Sequence, residues 1–278
     1  MYPVRRGYHP LAMTPPPGSP PDDQLSLELE PGLPALPATL RPMLARLASA
    51  PFDSPDHLFE PAWGGRRAVA FLEAAVAESD GGGFLTATGA PSVRLLDPGL
   101  RDLAPRLREL ADLPLRVDAR SAVLDGELVV VDAAGRANDP GLEERLAGRP
   151  GPAVAYLVFD LLYLDGRPLL RLPLHRRRGL LRKVLAPGAS LVAVPAIAGE
   201  GRALNDAATA QGLSGVMARR RDSPYLPGIR SRLWRFVAAG APPPTAPVGD
   251  ERASVDEGGA PVLALIARLP LPFADDAD

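Results

Sequence analysis

Two apolar, β-branched runs with acids embedded in them, and helical patterns between and after them, predict an α+β fold built on antiparallel strands. The first run, Val123 to Val131, reads Val-Leu-Asp-Gly-Glu-Leu-Val-Val-Val and is a buried strand ended by a turn at Asp132 to Gly135. The second, Ala153 to Leu164, has the same texture, with Asp160 inside it and an Asp165-Gly166 turn after it. Helical spacing is clearest over Pro98 to Leu110, Gly141 to Leu146 and Leu174 to Leu185. Further strands are predicted at Gly215 to Arg219 and Leu233 to Val237.

The ends of the chain read differently from its middle. Residues 1–40 hold ten prolines, including Pro15, Pro16 and Pro17, and show no apolar periodicity before Leu25, which is the composition of an extended arm. Ala239 to Pro247 is a Pro/Ala linker, followed by an acidic tail with one apolar stretch, Pro261 to Leu271. The expected organisation is therefore an arm over 1–40, a folded domain over 41–238, and a linker with a tail over 239–278. No apolar run approaches the ~20 residues of a membrane span, and the N-terminus lacks the apolar core of a signal peptide. A soluble, cytoplasmic protein with no membrane partner is expected. The absence of cysteine excludes disulfides, thiolate metal sites and a thiol nucleophile together.

The net charge of −2 conceals an asymmetry. Residues 216–236 carry Arg219, Arg220, Arg221, Arg230, Arg232 and Arg235 against Asp222, whereas the chain from residue 241 onward carries seven acids against two arginines. A basic run of this kind suits a phosphate backbone, and it equally suits a solvated face. Of the 31 basic residues a single one is a lysine, Lys183, in a helical pattern from which its stem can reach water.

Four segments in order carry chemistry. They are Phe59-Glu60-Pro61-Ala62-Trp63-Gly64-Gly65-Arg66-Arg67, preceded by Met43-Leu44-Ala45 and Pro51-Phe52-Asp53; Leu124-Asp125-Gly126-Glu127; Val158-Phe159-Asp160-Leu161-Leu162-Tyr163-Leu164-Asp165-Gly166 with Arg176-Arg177 beyond; and Leu213-Ser214-Gly215-Val216-Met217-Ala218-Arg219, Asp222-Ser223-Pro224-Tyr225 and Trp234. Together they resemble the adenylation (nucleotidyltransferase) domain of ATP-dependent DNA ligases, of the bacterial end-joining type, over residues 41–238. The resemblance implies an ATP-grasp-like α+β domain of antiparallel sheets flanked by helices. It also implies a family reaction in which a lysine attacks the α-phosphate of ATP and AMP passes to a 5′-phosphate on nicked DNA. The acidic tail is too short to build the OB-fold that usually follows, so no OB-fold is expected.

That chemistry needs an amine, acidic ligands for magnesium, and cations for the phosphates. The register set by Glu60, Gly65 and Arg67 puts Ala62 at the nucleophile position and Gly64 at the motif aspartate, so no catalytic residue is assigned. An arginine is a poor replacement for the lysine because its guanidinium stays protonated. Carried over by position, Glu60, Arg67, Glu127, Phe159 and Arg219 are the candidate contacts to ATP or AMP, with Phe159 as the adenine-stacking aromatic and Glu127 as the candidate magnesium ligand. Arg220, Arg221, Arg230 and Arg232 are the candidate DNA contacts. Against the family pattern, Thr86-Ala87-Thr88-Gly89 lacks an arginine, Ser214 replaces a metal-binding glutamate, Arg219 replaces a lysine, and Phe236 and Ala238 replace two more. The surviving positions have structural explanations too: Asp125 and Gly126 as a turn into a strand, Phe159 as core, and Trp234 as packing.

The expectation is a ligase-like pseudoenzyme of the DNA repair and recombination family, retained as a nucleotide- or DNA-end-binding module. Its expected partners are DNA ends, nicked duplex or a DNA repair protein. Two alternatives stand beside it: an active ligase with a relocated nucleophile, for which Lys183 is the one lysine available, and a non-enzymatic nucleic-acid-binding protein.

Overall fold

The computed structural model describes residues 35–79, 85–88, 90–132 and 136–240. The turn residues 133–135, Gly89, the side chains of residues 76–88, most of the Pro-rich arm and the acidic tail lie outside the described residues. In chain order the elements are β1 (Leu44–Leu47), β2 (Ser54–Ala62), β3 (Arg66–Glu73), β4 (Val76–Ser79), β5 (Leu85–Thr88), β6 (Ser92–Leu96), β7 (Ser121–Val129), α1 (Asp139–Leu146), β8 (Ala155–Leu164), β9 (Arg167–Pro168), α2 (Leu174–Val184), β10 (Leu191–Ala193), β11 (Ile197–Gly199), α3 (Gly201–Ala210), β12 (Gly215–Arg220) and β13 (Arg230–Ala238).

Two mixed sheets, mainly antiparallel, organise them. One runs β1-β13-β12-β2-β11, and the other runs β10-β8-β7-β3-β6 with β9 added against β8. The parallel pairs are β1 with β13 and β10 with β8. A separate two-stranded ribbon joins β4 to β5. The described residues form no closed barrel.

The period-two alternation of the second sheet explains both of its layers. Val69 and Phe71 of β3, Val123 and Val129 of β7, and Leu157 and Phe159 of β8 face the first sheet and share a buried cluster with Trp63 and Trp234. Ala68, Ala70, Leu72, Leu124, Leu128, Tyr156 and Val158 face the other way and pack under Leu107, Leu110 and Leu181. A strand buried on both faces reads as the continuous apolar run seen at Val123 to Val131. Leu36 and Leu40, assigned by sequence to the arm, pack against the layer between the sheets.

Two expectations are corrected. Pro98 to Leu110 is not an α-helix but an irregular segment with 3₁₀ turns at Ala104–Arg106 and Arg108–Leu110, the first with its proline in the opening turn. Asp102 accepts from the backbone N–H groups of Leu95 and Ala104, each at 3.0 Å, and so fixes a turn where the spacing alone suggested a helix. Asp125 and Gly126 do not form a turn into a strand. Both sit inside β7, Asp125 fully buried, at a register shift against β8. Glycine is required at 126 because a Cβ there would lie 2.5 Å from the Leu157 carbonyl oxygen and 2.6 Å from the Tyr156 ring.

Candidate active-site cleft

The residues expected to meet ATP come together between the two sheets, from five strands. Glu60 and Ala62 lie on β2, Arg67 on β3, Glu127 on β7, Phe159 on β8 and Arg219 on β12. Register explains the convergence: Arg67 is the cross-strand neighbour of Glu127, and Arg219 that of Trp234. The cluster is held by arginine.

Ala62, which the sequence reading puts at the nucleophile position, ends β2 opposite Gly215 and is 9% exposed. Its carbonyl oxygen accepts the Ser214 hydroxyl at 2.7 Å and the Ser214 backbone N–H at 3.1 Å. Gly64, at the motif aspartate position, has φ of 83° and faces the same serine, whose Cβ and Oγ would lie 3.3 Å from a Cβ added there. Ala62, Gly64 and Ser214, read from the sequence as standing at one amine and two carboxylate positions, thus form a small-residue corner.

Phe159 is 4% exposed, and the space over its ring is occupied. The Arg219 guanidinium carbon lies 4.0 Å from the ring centroid and that of Arg67 4.5 Å, while both also lie over Trp234, at 4.7 and 5.6 Å. Cations over aromatic faces are held by the ring quadrupole, more strongly where water is excluded. A base stacking on Phe159 would have to displace one of these guanidiniums.

Each cation is anchored. Arg67 makes a fork with Asp125, Nε to Oδ1 at 2.6 Å and Nη2 to Oδ2 at 2.5 Å, and the Tyr225 hydroxyl donates to the same Oδ2 at 2.7 Å. Burial works against the Arg67 charge, but Asp125 outweighs it and holds the guanidinium above its usual range. Buried Glu60 is bound by both Arg178 and Arg219. Arg178 also donates to the carbonyls of Phe159 at 3.1 Å and Val194 at 2.5 Å. Burial pushes Arg178 down to about 10 and Arg219 to about 9, so both stay charged at neutral pH. Arg219 Nε has no hydrogen-bond acceptor among the described residues.

Glu127 is the carboxylate left over. Burial pushes it up to about 7, against the pull of Arg67 and of a hydrogen bond from the Trp63 backbone, with Asp125 and Asp139 adding to the rise. As a magnesium site the donor set does not fit. Asp125 is committed to Arg67 and Tyr225, Glu60 to two arginines, and Ser214 donates its hydroxyl to Ala62. Among the described residues no group of three His, Asp or Glu side chains could hold a metal ion, whereas a hard cation wants several oxygens at once.

The candidate DNA contacts lie elsewhere. Arg220, Arg221, Arg230 and Arg232 are exposed and bracket the turn joining β12 to β13. Arg219, grouped with them by the charge run, is withdrawn into the cleft by strand alternation and leaves the surface patch. Lys183 is exposed near the end of α2, a helix whose Leu181 packs in the outer layer.

Sequence reasoning also missed a third buried group of paired charges. Arg177 and Asp160 are both fully buried and joined by two 2.8 Å hydrogen bonds. Burial raises Asp160 against the opposing pull of Arg177. The signal was present: Leu174, Arg177, Arg178 and Leu181 follow the spacing of the core face of a helix, with arginines in two apolar slots.

Comparisons agree with this architecture. The family model described as "ATP dependent DNA ligase domain" matches residues 94–235, half of the chain. The multifunctional non-homologous end joining DNA repair protein LigD of Mycobacterium tuberculosis is 35% identical over 196 residues, 70% of this chain and 23% of that protein. A probable DNA ligase of Saccharopolyspora erythraea is 38% identical over 144 residues, 50% of this chain and 28% of that protein. The chain thus spans about a quarter of the length of these relatives. Among solved structures, mycobacterial DNA ligase D complexed with ATP and MES is similar with a TM-score of 0.56 and 31% identity, over 72% of this chain and 60% of that one. The ligase domain of M. tuberculosis LigD gives 0.55 and 32%, over 71% and 58%. With the motif order, the paired sheets and the family model in agreement, the chain belongs to the ATP-dependent DNA ligase domains, as an adenylation domain of the bacterial end-joining type.

Proposed function

We propose that this ligase-family domain forms no covalent adenylate and serves as a module that engages DNA ends or nicked duplex. The observation that carries the first half is Ala62, whose methyl group cannot attack a phosphate and whose carbonyl is tied to Ser214. Three features support it: the arginines over Phe159, the lack of a carboxylate set for magnesium among the described residues, and the exposure of Lys183 on α2. ATP or AMP with magnesium is therefore no part of the proposed resting protein. The second half rests on Arg220, Arg221, Arg230 and Arg232, four exposed cations at one end of a hairpin, suited to a phosphate backbone. The M. tuberculosis relative is an end-joining DNA repair protein by name, which agrees with a DNA-end ligand.

Incubation of the chain with magnesium and α-labelled ATP, followed by denaturing electrophoresis, tests the first half. No label should stay with the chain. A labelled chain would show that another side chain has taken over the nucleophile's role, and loss of that label in Lys183→Ala would identify it.

A further inference from the structure

Arg219 turns into the cleft over Phe159, so the alternation of β12 puts its neighbour Arg220 on the opposite, outer face of the first sheet. Cross-strand register shows which residues share that face. Arg220 is the partner of His57, Ala218 is the partner of both Phe59 and Arg235, and Arg46 pairs with Arg235 from its other side. Phe59 packs there against the start of α3, where a Cβ on Gly201 would lie 2.3 Å from its ring. Phe52 links two of the polar groups. The Arg235 guanidinium carbon lies 5.2 Å from its ring centroid, and its ring stands edge-on to that of His57 with centroids 5.3 Å apart. Among the described residues Arg46, Arg220 and Arg235 make no ion pair, while Asp53, beside them in β2's approach, is held by Arg202 at 3.9 Å. His57 is 9% exposed; its Nδ1 lies 2.9 Å from the Ser54 hydroxyl, and its Nε2 has no hydrogen-bond partner among the described residues. One face thus carries three guanidiniums without a counter-charge beside a buried imidazole with a free nitrogen.

We propose that this outer face binds a phosphate monoester or inorganic phosphate through the Arg220 and Arg235 guanidiniums and Nε2 of His57. The site lies on the other side of the sheet from the cleft, goes beyond the DNA-end reading and does not need it. A doubly charged phosphate calls for more than one cation. Each guanidinium presents paired N–H groups to phosphate oxygens, and imidazole supplies a further donor and, once protonated, a further charge. Arg46 adds positive charge at the rim. With the site empty, burial pushes the His57 pKa below its ordinary value, Arg235 and Arg220 add to the fall, and Asp56 opposes it. A dianion seated among these groups reverses that bias, so phosphate binding and protonation of His57 favour one another.

Proton NMR of the histidine rings on the full chain tests the site with no nucleic acid present. The chain has three histidines, and His57→Asn assigns the signal that matters. Inorganic phosphate added at constant ionic strength and neutral pH should shift the His57 signal saturably, leave the other two in place, and raise the pH midpoint of His57. Arg220→Ala, which removes an exposed side chain and spares the packing, should weaken the apparent affinity about tenfold. Arg182→Ala, exposed on α2, should leave it unchanged. No saturable shift at His57, a shift indifferent to Arg220→Ala, or equal weakening by Arg182→Ala overturns the proposal. Two oligonucleotides differing only in a 5′-phosphate or 5′-hydroxyl then name the source. Displacement of phosphate by the first alone assigns the site to a strand end, and displacement by neither assigns it to a small phosphate compound; either result upholds it. Displacement by both alike marks a contact to backbone diesters and overturns the monoester site. Duplex binding plays no part in the first readout, so failure of the DNA-end reading and failure of this site are told apart.

Discussion

The guanidinium of Arg219 lies 4.0 Å over the ring of Phe159 while its Nη1 pairs with buried Glu60. In a ligase-type cleft that ring is the expected platform for adenine, so one side chain closes the platform and neutralises the acid beneath it. On the proposed reading, in which Ala62 stands at the nucleophile position, this is a second change that a nucleophile alone would not reverse.

Ala62→Lys should therefore fail to restore self-adenylation. With α-labelled ATP and magnesium the variant should remain unlabelled, because Arg67 and Arg219 still lie over Phe159 and the Gly64 and Ser214 positions bring no carboxylate. Labelling comparable with that of an active ligase domain would show that the arginine stack opens for a base.

Glu60→Gln should be costly. The glutamate is the acid shared by Arg178 and Arg219, and its neutral replacement leaves two buried cations short of a counter-charge. Breaking a buried pair from one side costs about 3 to 5 kcal/mol. Urea denaturation should show the midpoint falling accordingly. A change within experimental error would mean that water reaches the cluster and screens it.

Glu127 supplies a pH signature. Its folded value of about 7 lies above its ordinary 4.5, so the native state holds this proton more tightly than the unfolded chain does. The associated stability is complete below about 4.5 and is lost as pH rises through about 7. Glu127→Gln does not titrate, so the difference between variant and parent should grow in favour of the variant from pH 5 to pH 8, by about 1 to 2 kcal/mol once partial exposure is discounted. Stability curves that stay parallel over this range would place the Glu127 carboxyl in water.

Arg220→Glu with Arg221→Glu should weaken binding to a nicked or blunt-ended duplex and flatten its salt dependence. Each phosphate that the protein ceases to neutralise lowers the steepness of log affinity against log salt by about 0.9. Fluorescence anisotropy across a salt series measures both quantities. Unchanged slope and affinity would remove DNA from this surface. Reversal of Arg235 should act differently, because its guanidinium lies 5.2 Å over Phe52 and its loss affects packing as well as charge.

The sequence by itself determined the family, the α+β class, the two central strands β7 and β8, and the helices α1 and α2. These rest on local pattern: continuous apolar runs, turn residues and motif spacing survive in one dimension because each depends on near neighbours. The α-helix expected over Pro98 to Leu110 failed for the complementary reason, since Asp102 binds its own neighbouring backbone and overrides apolar spacing. What only the tertiary structure decided is the fate of charge. Arg219 and Arg220 are adjacent in sequence, yet strand alternation sends the first into a dry cleft over Phe159 and leaves the second in water. Asp125 and Asp160 look alike in their apolar strands, and one meets Arg67 and Tyr225 while the other meets Arg177. Pairing of buried charges depends on which strands and helices are brought face to face, across 58 positions for Arg67 and Asp125 and 118 for Glu60 and Arg178. No local pattern records that, because the energy of a charge is set by the medium and the partner that folding puts around it.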